Sequence, residues 1–159
     1  MIHPFEPVFD QNSRILILGT FPSVKSREQQ FYYGHPQNRF WKVLAAVYKD
    51  APPKTVPEKK AFLLKHNTAL WDVISSCEIT GSADASIKNA VPNDLSKILG
   101  AAHISRIFCN GTKAFDLYNK YLLPKTEIQA EKLPSTSPAN AAWTLEKLTA
   151  AWQVISIVT

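Results

Sequence analysis

Apolar residues in this chain follow two rhythms. Short runs recur at Ile15 to Leu18 (ILIL), Ala69 to Ile74 (ALWDVI), Ile104 to Cys109 (ISRIFC) and Glu127 to Leu133. Between them apolar positions are spaced by three or four: Phe40, Leu44 and Val47; Leu95, Ile98 and Leu99; Phe115, Tyr118 and Leu122; then Ala141, Leu145, Leu148 and Trp152. Short apolar runs suit parallel strands covered on both faces, and the wider spacing suits one face of a helix. Proline punctuates the pattern, ending a helix at Asp50-Ala51-Pro52-Pro53 and opening another at Pro57, which runs to Lys65. Pro92-Asn93-Asp94 starts a further helix, Ser75 to Val91 reads as a long polar connection, and Pro134 to Pro138 as a loop. Strands alternating with helices predict an α/β fold, a three-layer α/β/α sandwich around a four-stranded parallel sheet. No internal repeat or linker divides the pattern, so 1–159 is expected to form one domain.

Composition narrows the classes without choosing among them. The chain has 159 residues, 45% hydrophobic and 19% charged, and 18 Lys and Arg against 13 Asp and Glu give +5. That balance accommodates a polyanion partner without requiring one. No apolar run is long enough to span a bilayer, and Met1-Ile2-His3-Pro4 lacks a signal-peptide layout, so a cytoplasmic location is expected. Cys77 and Cys109 are too few for a disulfide framework or a thiolate metal site, and His3, His35, His66 and His103 show no ligand spacing. No metal and no cofactor are expected.

One stretch stands apart from both rhythms. After the first strand, Gly19-Thr20-Phe21-Pro22-Ser23 forms a tight turn at a carboxyl end, where ligands of open α/β sheets bind. The aromatic, amide-rich segment from Gln29 to Asn38 reads as neither helix nor strand, and long irregular segments inside compact domains are more often functional than idle. It leaves Asn38 at the lip of whatever the turn encloses. By position alone Asn38 is a good cap for the helix beginning at Phe40.

Several blocks along the chain are together specific: GTFPS (Gly19 to Ser23), GHPQNRFW (Gly34 to Trp41), LWDVISSCEITGSAD with the following IKN and PND, FCNGTKAF, and LPSTSPAN (Leu133 to Asn140). In order and spacing they resemble the uracil-DNA glycosylase superfamily, and within it the DNA-deoxyinosine (hypoxanthine-DNA) glycosylase branch. The HP-x-NRFW block is also similar to mismatch-specific uracil enzymes. In those relatives the first loop carries an asparagine or acidic residue that handles water, and Thr20 to Ser23 offer neither. The resemblance instead implies that the essential amide is Asn38. Where uracil enzymes have His-Pro-Ser, this chain has Leu133-Pro134-Ser135. The imidazole that would stabilise a uracil anion is absent.

The resemblance implies a monofunctional enzyme that flips deoxyinosine from DNA and hydrolyses its N-glycosidic bond, leaving an abasic site. Such an enzyme needs an aromatic platform, polar groups for the base edge, phosphate grips and a placed water. Asn38 is the catalytic candidate, positioning water through its carbonyl. Thr20, Phe21, Pro22 and Ser23 could present backbone N–H groups to the base; the alternative is a plain strand-exit turn. Tyr33 or Phe40 could stack on the purine, although Phe40 also suits a core position. The Asn110 amide could match hypoxanthine's O6 and N1–H, or belong to an Asn-Gly turn. Ser135, Thr136 and Ser137 look like phosphate-binding groups on a wedge loop, or else a helix-start turn capped by Ser137 or Asn140. Lys25, Arg27, Arg39 and Lys113 are candidate phosphate partners. Ser82 and Asp84 match a segment lining the DNA side, with Ala83 where leucine is expected. Asp72 is the one acid worth watching. The partner implied is DNA containing deaminated bases, met by a monomer near the nucleoid. The alternatives are a uracil or mismatch-specific glycosylase of the same fold, or a damage-binding module without turnover.

Overall fold

The computed structural model describes residues 5–22, 26, 31–78 and 88–157. β1 (Ile15–Gly19) is buried along its whole length and lies inside the sheet. It pairs in parallel with β2 (Thr68–Asp72) on one side and β5 (Arg106–Asn110) on the other, and β5 pairs with β6 (Ala130–Leu133), giving the order β2-β1-β5-β6. Gly19 stands opposite Asp72, and Asn110 opposite Leu133, so the carboxyl ends form one rim.

Helices flank this sheet. α1 (Phe40–Tyr48) packs against α6 (Leu145–Trp152), where Phe40 meets the Trp152 indole edge-on at 6.0 Å. α2 (Val56–Lys65) lies against β2 and opens with a capping box: Thr55 Oγ1 accepts from Glu58 N–H, and the Glu58 carboxylate accepts from Thr55 N–H. α3 (Ser96–Leu99) is one short turn, and α4 (Thr112–Tyr121) packs on β5 and β6 before the brief α5 (Leu123–Thr126). The parallel sheet and its helices agree with the expected α/β architecture.

Two expectations change. The connection read as polar loop contains β3 (Ile74–Glu78) and β4 (Lys88–Pro92), an antiparallel pair whose register shifts twice. That irregularity, with the sequences ISSCE and KNAVP, leaves no clean alternation to read. The last helix begins at Leu145, so Ala141 sits in an exposed turn and Leu145 is 40% exposed, while Leu148 and Trp152 are buried. Its cap is Thr144, whose hydroxyl accepts from Lys147 N–H at 3.2 Å, rather than Ser137 or Asn140. No helix among the described residues is long and apolar enough to cross a membrane.

Candidate active site

A cavity of about 430 Å³ opens at the carboxyl rim of the sheet. That volume falls in the range of small-ligand pockets, roughly 300–1,000 Å³. One wall is the β1 exit. The carbonyls of Gly19 and Thr20 accept from Val73 and Ile74 N–H at 2.8 and 3.1 Å, which ties the turn to the start of the hairpin. Asn93 fastens the same corner: its Nδ2 donates to the carbonyls of Asp72 (2.8 Å) and Ile74 (3.3 Å). Asp72, 3% exposed, is the one carboxylate among the described lining residues.

Gly19 makes this wall possible. A Cβ there would run into Asp72 Oδ1 and stand 2.6 Å from the Tyr33 hydroxyl, so only glycine lets both groups close over the strand end. Tyr33 has φ of +54°, a left-handed conformation that a tyrosine rarely adopts. The ring is thereby laid against Phe40, with centroids 4.1 Å apart and planes 21° off parallel. Neighbouring Tyr32 donates to the Glu6 carbonyl at 2.8 Å, and burial, reinforced by the Asp72 charge, holds its phenol far above the ordinary range. Cys109, behind β5, is pushed up to about 12 by burial and stays a protonated core thiol.

The opposite wall is a polar relay. Asn110 Nδ2 donates to Thr136 Oγ1 at 3.0 Å while Thr136 N–H donates back to Asn110 Oδ1 at 3.0 Å. With its oxygen already accepting, the buried Thr136 hydroxyl passes its own proton on to Asn38 Oδ1 at 2.9 Å. Asn38 Oδ1 also accepts from Phe40 N–H at 2.9 Å. An N–H can only donate, so the Asn38 amide cannot be flipped: its oxygen faces the protein and its Nδ2 is left for the cavity. Asn38 is not the cap expected from its position, since Arg39 takes the N-cap place; its Oδ1 holds the first helical N–H of α1 while the residue lines the pocket.

The family model for the uracil DNA glycosylase superfamily matches residues 6–156. The chain belongs to that superfamily. Two curated relatives are named hypoxanthine DNA glycosylase. One, from Methanosarcina acetivorans, is 38% identical over 138 residues, 86% of each chain. The other, from Methanosarcina barkeri, is 34% identical over 112 residues, 69% of this chain and 71% of its own. A solution NMR structure from Methanosarcina acetivorans, described as a candidate uracil DNA glycosylase, superposes with a TM-score of 0.80 at 31% identity, covering 98% of this chain and 99% of that one.

On this glycosylase scaffold the cavity gathers Thr20, Phe21, Pro22, Tyr33, Asn38, Asn110, Ser135, Thr136 and Ser137. Three expectations need correction. Phe40 is fully buried behind Tyr33 and does not reach the cavity, so of the two expected platforms Tyr33 is the one in the wall, beside Phe21 and Tyr32. Thr136 is fully buried, and its hydroxyl and N–H serve the two asparagines rather than a phosphate. Arg39 turns its guanidinium onto main-chain carbonyls of the 134–143 loop. Lys113 stands half-buried in the first turn of α4, outside the cavity wall, and its expected phosphate contact is a separate matter from that wall. Pro22 lacks an N–H and contributes only shape to the turn. Ser23, Lys25, Arg27, Ser82 and Asp84 lie outside the described residues. The Asn93 tie was missed, and Pro92-Asn93-Asp94 beside the hairpin was its signal. Among the described residues no group of three or more His, Cys, Asp or Glu could hold a metal.

Proposed function

We propose that this protein is a monofunctional DNA glycosylase that extrudes deoxyinosine, hydrolyses its N-glycosidic bond and releases hypoxanthine. The observation that carries the reading is Asn38, fixed in the cavity wall with its amide nitrogen facing the space a base would fill. The relatives named hypoxanthine DNA glycosylase support the same substrate. Flipping costs a few kcal/mol, least for a mispaired base such as hypoxanthine. The purine then stacks on Tyr33, while the Thr20–Phe21 turn and the spare hydrogen and lone pair of the Asn110 amide meet its polar edge.

As the C1′–N9 bond breaks, its electron pair leaves with the base and the sugar becomes oxocarbenium-like. Asn38 Nδ2 holds the attacking water by its oxygen; the amide carbonyl, already accepting twice, is not the group that does so. Asp72 supplies negative charge opposite the developing cation. The water oxygen bonds to C1′, and its proton ends on the departing purine. The hydroxyls of Ser135 and Ser137, whose oxygens accept from Ser137 and Ala139 N–H, donate to the flanking phosphates. One domain acting as a monomer on intracellular DNA suffices for these steps, and none of the described lining residues is a lysine that could form a Schiff base, which supports base removal that leaves the strand intact until alkali is added.

Labelled duplexes with deoxyinosine or deoxyuridine, treated with alkali after incubation, test the reading. Alkali-labile product from the deoxyinosine strand is expected. Product from deoxyuridine alone would move the substrate to uracil, and binding without product would make the protein a damage-recognition module.

A further inference from the structure

Arg39 directly follows Asn38 and spends its guanidinium inside the protein. Nη2 donates to the carbonyls of Ser137 (2.8 Å) and Asn140 (3.1 Å), Nη1 to that of Trp143, and Nε to that of Thr136 at 3.4 Å. Arg39 main-chain N–H adds a bond to the same Thr136 carbonyl at 3.1 Å. Part of the loop is tied to itself: Asn140 N–H donates to the Ser137 carbonyl (3.0 Å), Trp143 N–H to that of Asn140 (3.1 Å), Ser137 N–H to Ser135 Oγ and Ala139 N–H to Ser137 Oγ (both 3.1 Å), and Asn140 Nδ2 to the Ser135 carbonyl (3.0 Å). Apart from the Thr136 relay, Trp152 Nε1 on the Pro134 carbonyl (2.9 Å) joins it to the last helix. Between Thr136 and Trp143 the loop is turns without helix or strand, and the donors that reach its carbonyls from outside the loop are those of Arg39. A planar fork with five donors in fixed directions can span several spaced carbonyls at once; a lysine ammonium offers three donors from a single atom on a flexible stem and cannot reproduce that span.

We infer that Arg39 is a positioning residue that locks the 134–143 loop onto the chain segment bearing Asn38, setting the distance between the water-holding amide and the groups that grip the flanking DNA. The inference deepens the glycosylase reading and rests on it. The loop brings Thr136 to Asn38 and Ser135 and Ser137 to the cavity rim. If the loop moves, the relay to Asn38 loses its hydroxyl donor and the DNA grip loses its register. The positive charge of Arg39 is therefore used within the protein and is not a phosphate contact.

Arg39→Gln and Arg39→Lys separate these roles. Hydrogen exchange on the free variants is expected to show protection lost across 134–143 and kept in β1, β5 and α1, a readout that needs no turnover. Single-turnover release from deoxyinosine DNA is expected to fall on the order of 100-fold in both variants, as for a small misplacement of catalytic groups. The slope of log binding constant against log salt, measured on duplex DNA, is expected to match wild type. A phosphate contact predicts the opposite pattern: a slope shallower by about 0.9 in Arg39→Gln, near-normal activity in Arg39→Lys, and an unchanged loop. That pattern, or full protection of 134–143 in both variants, overturns the inference. Wild-type protein inactive on deoxyinosine would overturn the substrate reading while leaving the exchange result to stand or fall alone.

Discussion

The two walls of the cavity are built by different physics. Around Gly19 the wall is steric: a missing Cβ lets Asp72 and Tyr33 close over the end of β1, and Tyr33 accepts a left-handed backbone to lie on Phe40. Around Asn38 the wall is directional: Asn110, Thr136 and Asn38 pass hydrogen bonds in one sense, ending on an oxygen that Phe40 N–H also holds. A steric wall fails when something is added. A relay fails when one hydroxyl is removed, with almost no change in shape. In the proposed reaction the first wall would fix where the base and sugar lie, and the second which end of an amide they meet.

The largest effect is expected at the end of the relay. Asn38→Ala should lower hypoxanthine release by on the order of 10²–10³-fold, the usual loss for one positioned donor. It should also cost about 1 kcal/mol of stability through the lost acceptor of Phe40 N–H and the Thr136 hydroxyl. Asn38→Asp sharpens the point, since a carboxylate can still accept from Phe40 N–H and Thr136 but has no amide hydrogen to offer. Its stability should stay near wild type in thermal unfolding while release falls with Asn38→Ala; a wild-type rate would place the water on the side-chain oxygen.

Gly19→Ala tests the steric wall. The new methyl must displace Asp72 and Tyr33, and both are hemmed in. Overpacking of this kind costs about 1–3 kcal/mol, and a displaced carboxylate and platform should slow release by roughly 100-fold. Single-turnover kinetics beside a denaturant titration would check both, and unchanged kinetics would dissociate Asp72 and Tyr33 from the reaction.

The smallest change is Thr136→Val, which keeps the shape and deletes the relay's middle hydroxyl. It leaves Asn110 Nδ2 without an acceptor and Asn38 Oδ1 with one donor fewer. A loss of about tenfold in release is expected, or roughly 1.4 kcal/mol in the barrier, for an amide that keeps its Phe40 N–H bond but loses its second donor. A loss as large as that of Asn38→Ala would mean that the relay acts as one cooperative unit.

Which features were legible follows from how local their causes are. Asn38 stood out because the contiguous block from Gly34 to Trp41 carries the family resemblance, and the fold brings it into the cavity wall. Its orientation could not, because the hydroxyl that fixes it belongs to Thr136, 98 residues away. Phe40 and Tyr33 were interchangeable as platforms in sequence; a positive φ at Tyr33 decided between them, and no residue pattern marks a tyrosine for that conformation. Arg39 read as a surface cation because its partners are main-chain carbonyls, which every residue carries and none advertises.

By itself the sequence determined the alternation of buried strands and amphipathic helices, and hence a parallel sheet whose carboxyl rim would hold the site. Burial periodicity is written residue by residue, so no distant partner is needed to see it. Only the tertiary structure decided which end of each amide faces the cavity, which aromatic ring lines it, and that an arginine beside the site holds a loop. Hydrogen-bond direction depends on donors and acceptors that meet only after the chain has folded.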